Sequence, residues 1–346
     1  MRAPAGAVAG PAPHTSDYPA PWWLPGGHLQ TILPATVFGA PPVAYRRERW
    51  TTPDDDFIDV DWHATSAAPA TSGRPLLVLF HGLEGSAESH YARALMTVAA
   101  ARGWQAAVPH FRSCSGELNR LPRFYHSGDA AEIDWILRRM RARAPHAPLF
   151  VAGVSLGANA LLCWLGQQAQ DAAWVRAAAA VSAPIDLERA GDALGRGLNM
   201  IYTRHFLATL KRKSLAKLAR FPGLFDADAV RAARDLRAFD DLVTAPLHGF
   251  AGVDDYWRRA SSRRWLQHIA VPTLLLNAAN DPFTPLGTLP GPGEVSPSVL
   301  IERPAQGGHV GFATGTLGEA MRRTSNGWLA ARLAAFFDDY TETDHG

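Results

Sequence analysis

The residues most able to do chemistry lie in the run Gly153-Val154-Ser155-Leu156-Gly157. A serine between glycines at this spacing is typical of a nucleophile elbow, a sharp turn from a strand into a helix that exposes the hydroxyl group. The run at 149–154 is apolar and predicts the strand, and residues 156–170 predict the helix. The amino end of that helix would place a positive dipole end and free N–H groups beside the serine. The sequence therefore predicts that Ser155 is a nucleophile.

A serine nucleophile needs a base and an acid that orients the base, and after this kind of elbow the acid precedes the histidine in the chain. His309 lies among glycines, after an apolar run at 298–301. Asp281 follows another apolar run at 273–277 and directly precedes Pro282. Loops at the carboxyl ends of parallel strands meet at one edge of the sheet. We therefore predict that His309 is the base and Asp281 the orienting acid.

Asp186 is a second candidate for the acid, because it follows the apolar run at 177–182. Pro184 precedes it and an apparent helix start follows it, a position that favours a helix N-cap. Loss of an N-cap typically costs about 1 kcal/mol of stability and changes little chemistry. We predict that Asp186 caps a helix and that Asp281 serves the histidine.

Acyl transfer also needs two N–H donors for the negatively charged oxygen of the tetrahedral intermediate. One donor is expected directly after the nucleophile, at Leu156, and the other in the loop after an earlier strand. The apolar run at 76–80 is followed by His81-Gly82-Leu83-Glu84-Gly85-Ser86. We predict that the backbone N–H groups of Leu83 and Leu156 form the oxyanion hole.

Other chemistries have little support in the sequence. It contains no His-Glu-x-x-His motif and no Cys-x-x-Cys pair, so we expect no metal site. No lysine follows a glycine-rich loop, and Gly195-Arg196-Gly197 lacks the rest of a dinucleotide fingerprint, so we expect no cofactor. Cys114 is an alternative nucleophile, but the serine set explains more residues.

The elements that would position these side chains alternate along the chain. Residues 44–50 and 56–62 alternate in polarity around Pro53 and predict an antiparallel pair of strands. Strands are then predicted at 76–80, 104–109, 149–154, 177–182, 273–277 and 298–301, and helices at 91–102, 129–143, 156–170 and 325–337. Short apolar runs that alternate with helices predict an α/β fold with a mostly parallel central sheet.

Two segments stand outside this alternation. Residues 186–268 are helix-rich and contain all three lysines of the chain, so we interpret them as a helical cap inserted into an α/β domain at 41–346. Apolar residues in this segment would line an acyl pocket; they are Phe206, Leu207, Leu210, Phe221, Leu224, Phe225, Tyr256 and Trp257. Residues 1–40 are interpreted as an N-terminal extension with a disordered tip.

Composition narrows the class of protein further. The 346 residues carry 34 basic and 32 acidic side chains, and a formal net charge of +2 implies no nucleic-acid partner. No window reaches the roughly 20 apolar residues of a membrane span, and prolines interrupt the first 20 residues where a secretory signal would lie. Two cysteines are too few for a disulfide framework and fit a reducing compartment, so we expect a cytoplasmic protein. These features do not predict an oligomeric state.

The motifs together resemble the YheT-type α/β-hydrolases, bacterial relatives of the ABHD lipid and ester hydrolases. The resemblance covers most of the chain and is carried by residues 21–31, 81–85, 112–117, 125–129, 153–157, 280–283 and 308–312. It implies an α/β-hydrolase fold and a triad of Ser155, Asp281 and His309. It also implies carboxylic ester hydrolysis, with acylglycerols as a plausible class of substrate.

We therefore interpret the chain as a serine hydrolase that cleaves short- to medium-chain carboxylic esters or acylglycerols through an acyl-enzyme. A thioesterase or an amidase on the same triad is an alternative within the enzymes. An α/β-hydrolase fold can also be kept by a binding protein without activity, although the presence of all three triad residue types argues against that. The expected partner is a small ester or lipid molecule.

Overall fold

One sheet organises the chain. The computed structural model describes residues 16–38, 40–66, 73–321 and 327–341, and within these ranges eight strands form a sheet in the order β1-β2-β4-β3-β5-β6-β7-β8. The strands are β1 Tyr45–Thr51, β2 Phe57–His63, β3 Leu76–Phe80, β4 Gln105–Pro109, β5 Leu149–Val154, β6 Ala177–Val181, β7 Thr273–Leu276 and β8 Val299–Glu302.

The direction of the strands changes twice across this sheet, because only β2 runs opposite to the others. Strand β2 is antiparallel to both β1 and β4, whereas all pairs from β4 through β8 are parallel. The prediction of a mostly parallel sheet with antiparallel strands from the amino-terminal part of the chain is confirmed. Strands β3, β5 and β6 are buried along their whole length, as continuous apolar sequences require when helices cover both faces of a sheet.

Helices lie on both faces of the sheet. Helices α2 (His90–Ala101) and α12 (Gly327–Asp338) share one apolar core with Leu77, Phe150 and neighbouring side chains. Helices α3 (Ala130–Arg143) and α4 (Leu156–Gln168) share a second core with Val78 and other side chains of the opposite face. Alternate residues of β3 thus point to opposite cores, as the period of two in a strand demands.

Between β6 and β7, a stretch described throughout, the chain forms six α-helices. We call them the cap helices; they are α5 Leu187–Leu194, α6 Met200–Arg220, α7 Ala227–Ala232, α8 Leu236–Phe239, α9 Ala245–Leu247 and α10 Val253–Ala260. They enclose an apolar cluster of their own, which includes Leu194, Leu207 and Phe239 and extends to Phe283 of the sheet domain. Among the described residues, no helix is both long and apolar enough to cross a membrane.

The amino-terminal segment contains an element that the sequence analysis does not predict. Helix α1 spans Gly27–Leu33, and its Gln30 side chain is fully buried. The glycines and prolines around this helix conceal it, because both residue types are typical of loops. Residues 1–15, most of the segment 1–20 for which a disordered tip is predicted, and residues 325–326, the first two of the predicted C-terminal helix, lie outside the described residues. The short helix α11 is Leu317–Met321.

Candidate active site

Ser155 lies at a strained turn between β5 and α4. Its backbone has φ 52° and ψ −118°, a conformation that non-glycine residues adopt only when the surroundings impose it. The Ser155 N–H donates to the Val181 carbonyl of β6 at 2.9 Å. A Cβ atom at Gly157 would lie 2.5 Å from the Phe80 carbonyl oxygen, so this glycine lets the turn pack against the end of β3. The neighbouring strands therefore hold the serine in place.

Three predicted residues meet at this turn. The Nε2 atom of His309 lies 2.9 Å from Ser155 Oγ, and its Nδ1 atom lies 2.9 Å from Asp281 Oδ2. With Nδ1–H donating to the carboxylate, Nε2 is left as the acceptor for the serine hydroxyl proton. The Asp281 side chain is fully buried and that of His309 is 9% exposed. This arrangement can remove a proton from Ser155 and return it to a leaving group.

Phe283 fixes the imidazole ring from one side. Its ring stacks on His309 with 4.0 Å between centroids and 23° between planes. The Phe283 N–H also donates to Asp281 Oδ1 at 2.8 Å. The residue after Pro282 thus orients both the acid and the base.

Helix α1 holds the loop that carries His309. The Thr31 hydroxyl oxygen accepts from the His309 N–H at 2.8 Å. Gln30 Oε1 accepts from the Gly307 N–H at 2.9 Å and from the Asn280 side-chain amide at 2.8 Å. Because Gln30 is fully buried, these bonds tie the histidine loop and the aspartate loop to the same side chain.

Sequence reasoning missed the role of Gln30, Thr31 and Asn280. The sequence pointed to these residues only because they lie in two motifs that carry the family resemblance, at 21–31 and 280–283. The resemblance implies no role for either motif. Close packing explains the glycines there, since a Cβ atom at Gly27 would lie 2.0 Å from the Asn280 carbonyl oxygen. The contacts of Gln30 and Thr31 with the histidine loop span more than 270 residues, which no local pattern reveals.

The two residues predicted to supply the oxyanion donors line the same pocket as Ser155. Leu83 and Leu156 line that pocket, and neither backbone N–H has a hydrogen-bond acceptor among the described residues. Gly82 brings the first loop close, because a Cβ atom there would lie 3.2 Å from Ser155 Cβ. The site therefore contains two free N–H groups on the residues where the sequence predicts them.

His81 orients the peptide that contains the Leu83 N–H. Its Nδ1–H donates to the Gly82 carbonyl at 2.8 Å, and the Gly85 N–H donates to the same oxygen at 2.9 Å. In a trans peptide the C=O and N–H bonds point in opposite directions, so these donors turn the Leu83 N–H the other way. Phe111 N–H donates to His81 Nε2 at 3.1 Å and so fixes the tautomer. Burial lowers the pKa of His81 to about 3, which keeps the ring neutral.

The pocket lies between the sheet domain and the cap helices. Its empty volume is about 1060 Å³, part of it open to solvent, and it is mainly apolar. The cap side is lined by Leu187, Leu194, Phe206, Leu210, Leu236, Phe239, Val243, Tyr256 and Trp257. Such a wall can bind an apolar chain next to the serine.

The structure corrects half of the predicted pocket lining. Phe206, Leu210, Tyr256 and Trp257 line the pocket, whereas Leu207, Phe221, Leu224 and Phe225 do not. On α6, Phe206, Leu210 and Ser214 recur at helical spacing and share the pocket face. Leu207 packs into the apolar cluster of the cap helices instead, and Phe225 packs against the same cluster. Apolar character alone did not distinguish the two faces.

Asp186 and Cys114 are the alternatives that the sequence offers for the acid and for the nucleophile. Asp186 accepts from the Arg189 N–H at 3.1 Å at the start of α5, which confirms the predicted N-cap. Cys114 is buried, and burial raises the pKa of its thiol to about 12, so it is no thiolate nucleophile at neutral pH.

A buried carboxyl group also lies at the pocket wall. Asp240 accepts hydrogen bonds from the Thr244 hydroxyl and the Trp257 indole N–H, and burial raises its pKa to about 6.

Metal and cofactor ligands would have to come from clusters of side chains. In the part of the chain that the structure describes, no three His, Cys, Asp or Glu residues are grouped as they would be around a metal ion. Among the polar residues that line the pocket, Ser155 and His309 are joined by a hydrogen bond and can act together on a bound molecule.

Comparisons with known proteins agree with this architecture. Residues 75–316 match the family model described as alpha/beta hydrolase fold. The chain is 39% identical to YheT of Escherichia coli (strain K12) over 317 residues, 91% of each protein. It is 31% identical to the mouse protein named Phospholipase ABHD3, over 86% of this chain and 73% of that one. The solved Pyrococcus furiosus esterase Pf2001 is similar in fold, with a TM-score of 0.55 at 15% identity over 89% of this chain and 99% of that one.

Proposed function

Because this chain belongs to the α/β-hydrolase family, we propose that it is a serine hydrolase that cleaves carboxylic esters with Ser155, His309 and Asp281. The observation that carries the proposal is the continuous line of hydrogen bonds from Asp281 through His309 to Ser155, at the wall of an apolar pocket. The name of the mouse relative, a phospholipase, supports ester bonds as the target.

In the first half-reaction Ser155 Oγ attacks the ester carbonyl carbon while His309 Nε2 takes the hydroxyl proton. The carbonyl oxygen becomes an anion and accepts from the N–H groups of Leu83 and Leu156. Loss of one such donor typically costs about 2.7–4 kcal/mol of transition-state stabilisation. The tetrahedral intermediate then breaks its bond to the alcohol oxygen, which takes the proton from His309 and leaves.

In the second half-reaction a water molecule replaces the alcohol. His309 removes a proton from this water, and the resulting oxygen attacks the acyl-enzyme carbonyl. The second tetrahedral intermediate uses the same two N–H groups, then releases the carboxylic acid and returns the proton to Ser155. Asp281 keeps the imidazole in the required tautomer throughout, and no step needs a metal or cofactor.

The pocket supports short- to medium-chain esters or acylglycerols as substrates. Its wall of leucine, phenylalanine and tryptophan side chains would take an apolar chain, and each buried methylene contributes roughly 0.8 kcal/mol. The polar groups that line the same pocket would contact the carbonyl group of the ester or its alcohol part.

A panel of substrates tests the proposal. The purified protein would be assayed with p-nitrophenyl esters from acetate to laurate, a monoacylglycerol, acyl-CoA thioesters and acyl anilides, with Ser155→Ala as the control. We expect ester hydrolysis that falls to background in the control. Turnover of acyl-CoA or anilides without turnover of any ester would overturn the assignment in favour of a thioesterase or an amidase. Failure with every substrate would favour a binding protein.

A further inference from the structure

All three lysines of the chain lie on cap helix α6, and each anchors it to a different partner. Lys211 donates to backbone carbonyls of Arg231 and Ala233, within the cap. Lys217 is fully buried and bonds to the sheet domain at Asn119. Lys213 reaches the loop at 81–86, where its Nζ lies 2.8 Å from Glu84 Oε2. Only this third contact involves the neighbourhood of the serine.

Glu84 directly follows Leu83, the residue whose N–H is proposed to bind the oxyanion. Its backbone has φ 56°, in the left-handed region that glycine favours and other residues adopt at a cost. The Glu84 N–H donates to the Tyr125 hydroxyl at 2.9 Å, and that hydroxyl donates to Glu84 Oε1 at 2.9 Å. Tyr125 therefore holds one carboxylate oxygen, and Lys213 holds the other.

The ion pair between Lys213 and Glu84 is largely removed from water. The two side chains are 19% and 8% exposed, and both line the pocket that contains Ser155. Cys114 lies nearby, with its Sγ 3.7 Å from the Lys213 Nζ, but the buried thiol is neutral. In a poorly solvated pair, loss of one charge leaves the other unpaired, so the partner moves towards water or a new contact.

We propose that Lys213 is a positioning residue for this reaction: through Glu84 its ammonium group keeps the Leu83 N–H aimed at the developing oxyanion, so the cap helices complete the oxyanion hole. The inference rests on the proposed function of Ser155. An N–H donor that is used only when the oxygen becomes an anion acts on the transition state more than on the bound ester. Loss of Lys213 should therefore lower kcat and leave KM nearly unchanged.

The test compares Lys213→Met with Lys211→Met. Both variants remove one ammonium group from the same helix, but only Lys213 contacts the loop at 81–86. We expect Lys213→Met to lose about 10- to 100-fold in kcat, somewhat less than loss of an oxyanion donor, with KM changed less than about twofold. Lys213→Arg should recover most of kcat, because its guanidinium group can pair with the same carboxylate. Lys211→Met should stay close to the wild type.

Glu84→Gln separates positioning from a direct effect of the lysine charge. If Lys213 positions the loop, Glu84→Gln lowers kcat as Lys213→Met does, and the double variant is no worse than either single one. If the ammonium group instead stabilised the oxyanion through space, loss of Glu84 would free its charge and raise kcat. A rise in kcat would overturn the proposal, and this variant still decides the matter if Lys213→Met fails to fold.

Two further results would overturn this inference alone. One is a kcat of Lys213→Met equal to that of Lys211→Met, and the other is a rise in KM without a fall in kcat, which would mark a substrate contact. Both results require a wild-type protein that hydrolyses esters. A wild type without any ester hydrolysis would instead contradict the proposed function, so the two failures are distinguishable.

Discussion

At the scale of single residues, catalysis by Ser155 depends on which carboxylate orients His309. Asp281 bonds to the imidazole Nδ1, while Asp186 caps α5 and contacts Arg189. We expect Asp281→Asn to fold and to lose up to ~10⁴ in kcat, because an amide at this position no longer holds the required tautomer. Kinetics and melting temperatures of the two asparagine variants check this.

Asp186→Asn is the matched control for that measurement. Asparagine also caps helices well, so the change should cost less than about tenfold in kcat and little stability. An inactive Asp186→Asn beside an active Asp281→Asn would reverse the assignment of the acid.

The catalytic residues that the sequence predicts share one property. Ser155, Asp281 and His309 each follow a buried strand, and the order of the strands in a parallel sheet brings such loops to one edge. Gln30, Thr31 and Lys213 could not be found in this way. Their roles come from contacts across 277, 278 and 129 residues, between elements whose packing the sequence does not specify.

At the scale of elements, α1 acts as the support of the histidine loop. Thr31 and Thr36 each donate their hydroxyl proton to the carbonyl four residues earlier, but only the Thr31 oxygen also accepts from the His309 N–H. We expect Thr31→Val to lower kcat by about 10-fold, because a small displacement of the base is costly in a reaction that depends on geometry. The exposed Thr36→Val should leave kcat unchanged, and steady-state kinetics compare them. Equal activity of the two variants would mean that α1 does not position His309.

If the cap helices form the end of the acyl pocket, they limit the length of chain that the pocket accepts. We expect kcat/KM to rise along a series of p-nitrophenyl esters and then fall at the limit of the pocket. Phe206→Ala removes a side chain from the pocket wall and should move the optimum to longer esters. Phe225, which packs against the apolar cluster of the cap helices as Phe206 does, does not line the pocket, so Phe225→Ala should lower stability without moving the optimum. An optimum that stays in place in Phe206→Ala would contradict this role of the cap.

Elements differ in how well sequence predicts them, for physical reasons. Buried strands and the helices α2, α3 and α4 were predicted to within a few residues, because apolar runs and helical spacing report burial directly. Helix α1 was missed because tertiary contacts stabilise a short, glycine-rich segment. Only half of the residues predicted to line the pocket do so. A helix such as α6 has apolar residues both on the face that lines the pocket and on the face that packs into the apolar cluster of the cap helices.

At the scale of the whole molecule, buried titratable groups couple stability to pH. His81 is fully buried, and its pKa of about 3 lies below the ordinary value of 6.5. The unfolded chain therefore binds a proton that the folded chain refuses, so the stabilisation is complete above pH 6.5 and is lost as the pH falls towards 3. Between pH 7 and pH 5 this amounts to about 2 kcal/mol of unfolding free energy.

Urea unfolding at the two pH values measures this contribution. The difference in unfolding free energy between wild type and His81→Asn should shrink by about 2 kcal/mol from pH 7 to pH 5. The exposed His146→Gln is the control, since its side chain stays in water on folding. A difference that is the same at both pH values would show that His81 is protonated in the folded protein, against the donor and acceptor roles described for its ring.

The central claim is that Ser155 is the nucleophile of a serine hydrolase, and labelling with a fluorophosphonate probe tests it most directly. The probe phosphonylates an activated serine, and mass spectrometry of the digested protein locates the modified residue. We predict a single label on the peptide that contains Ser155 in the wild type, and no label in Ser155→Ala with an unchanged melting temperature. A wild type without label, or a label that persists in Ser155→Ala, would contradict the account.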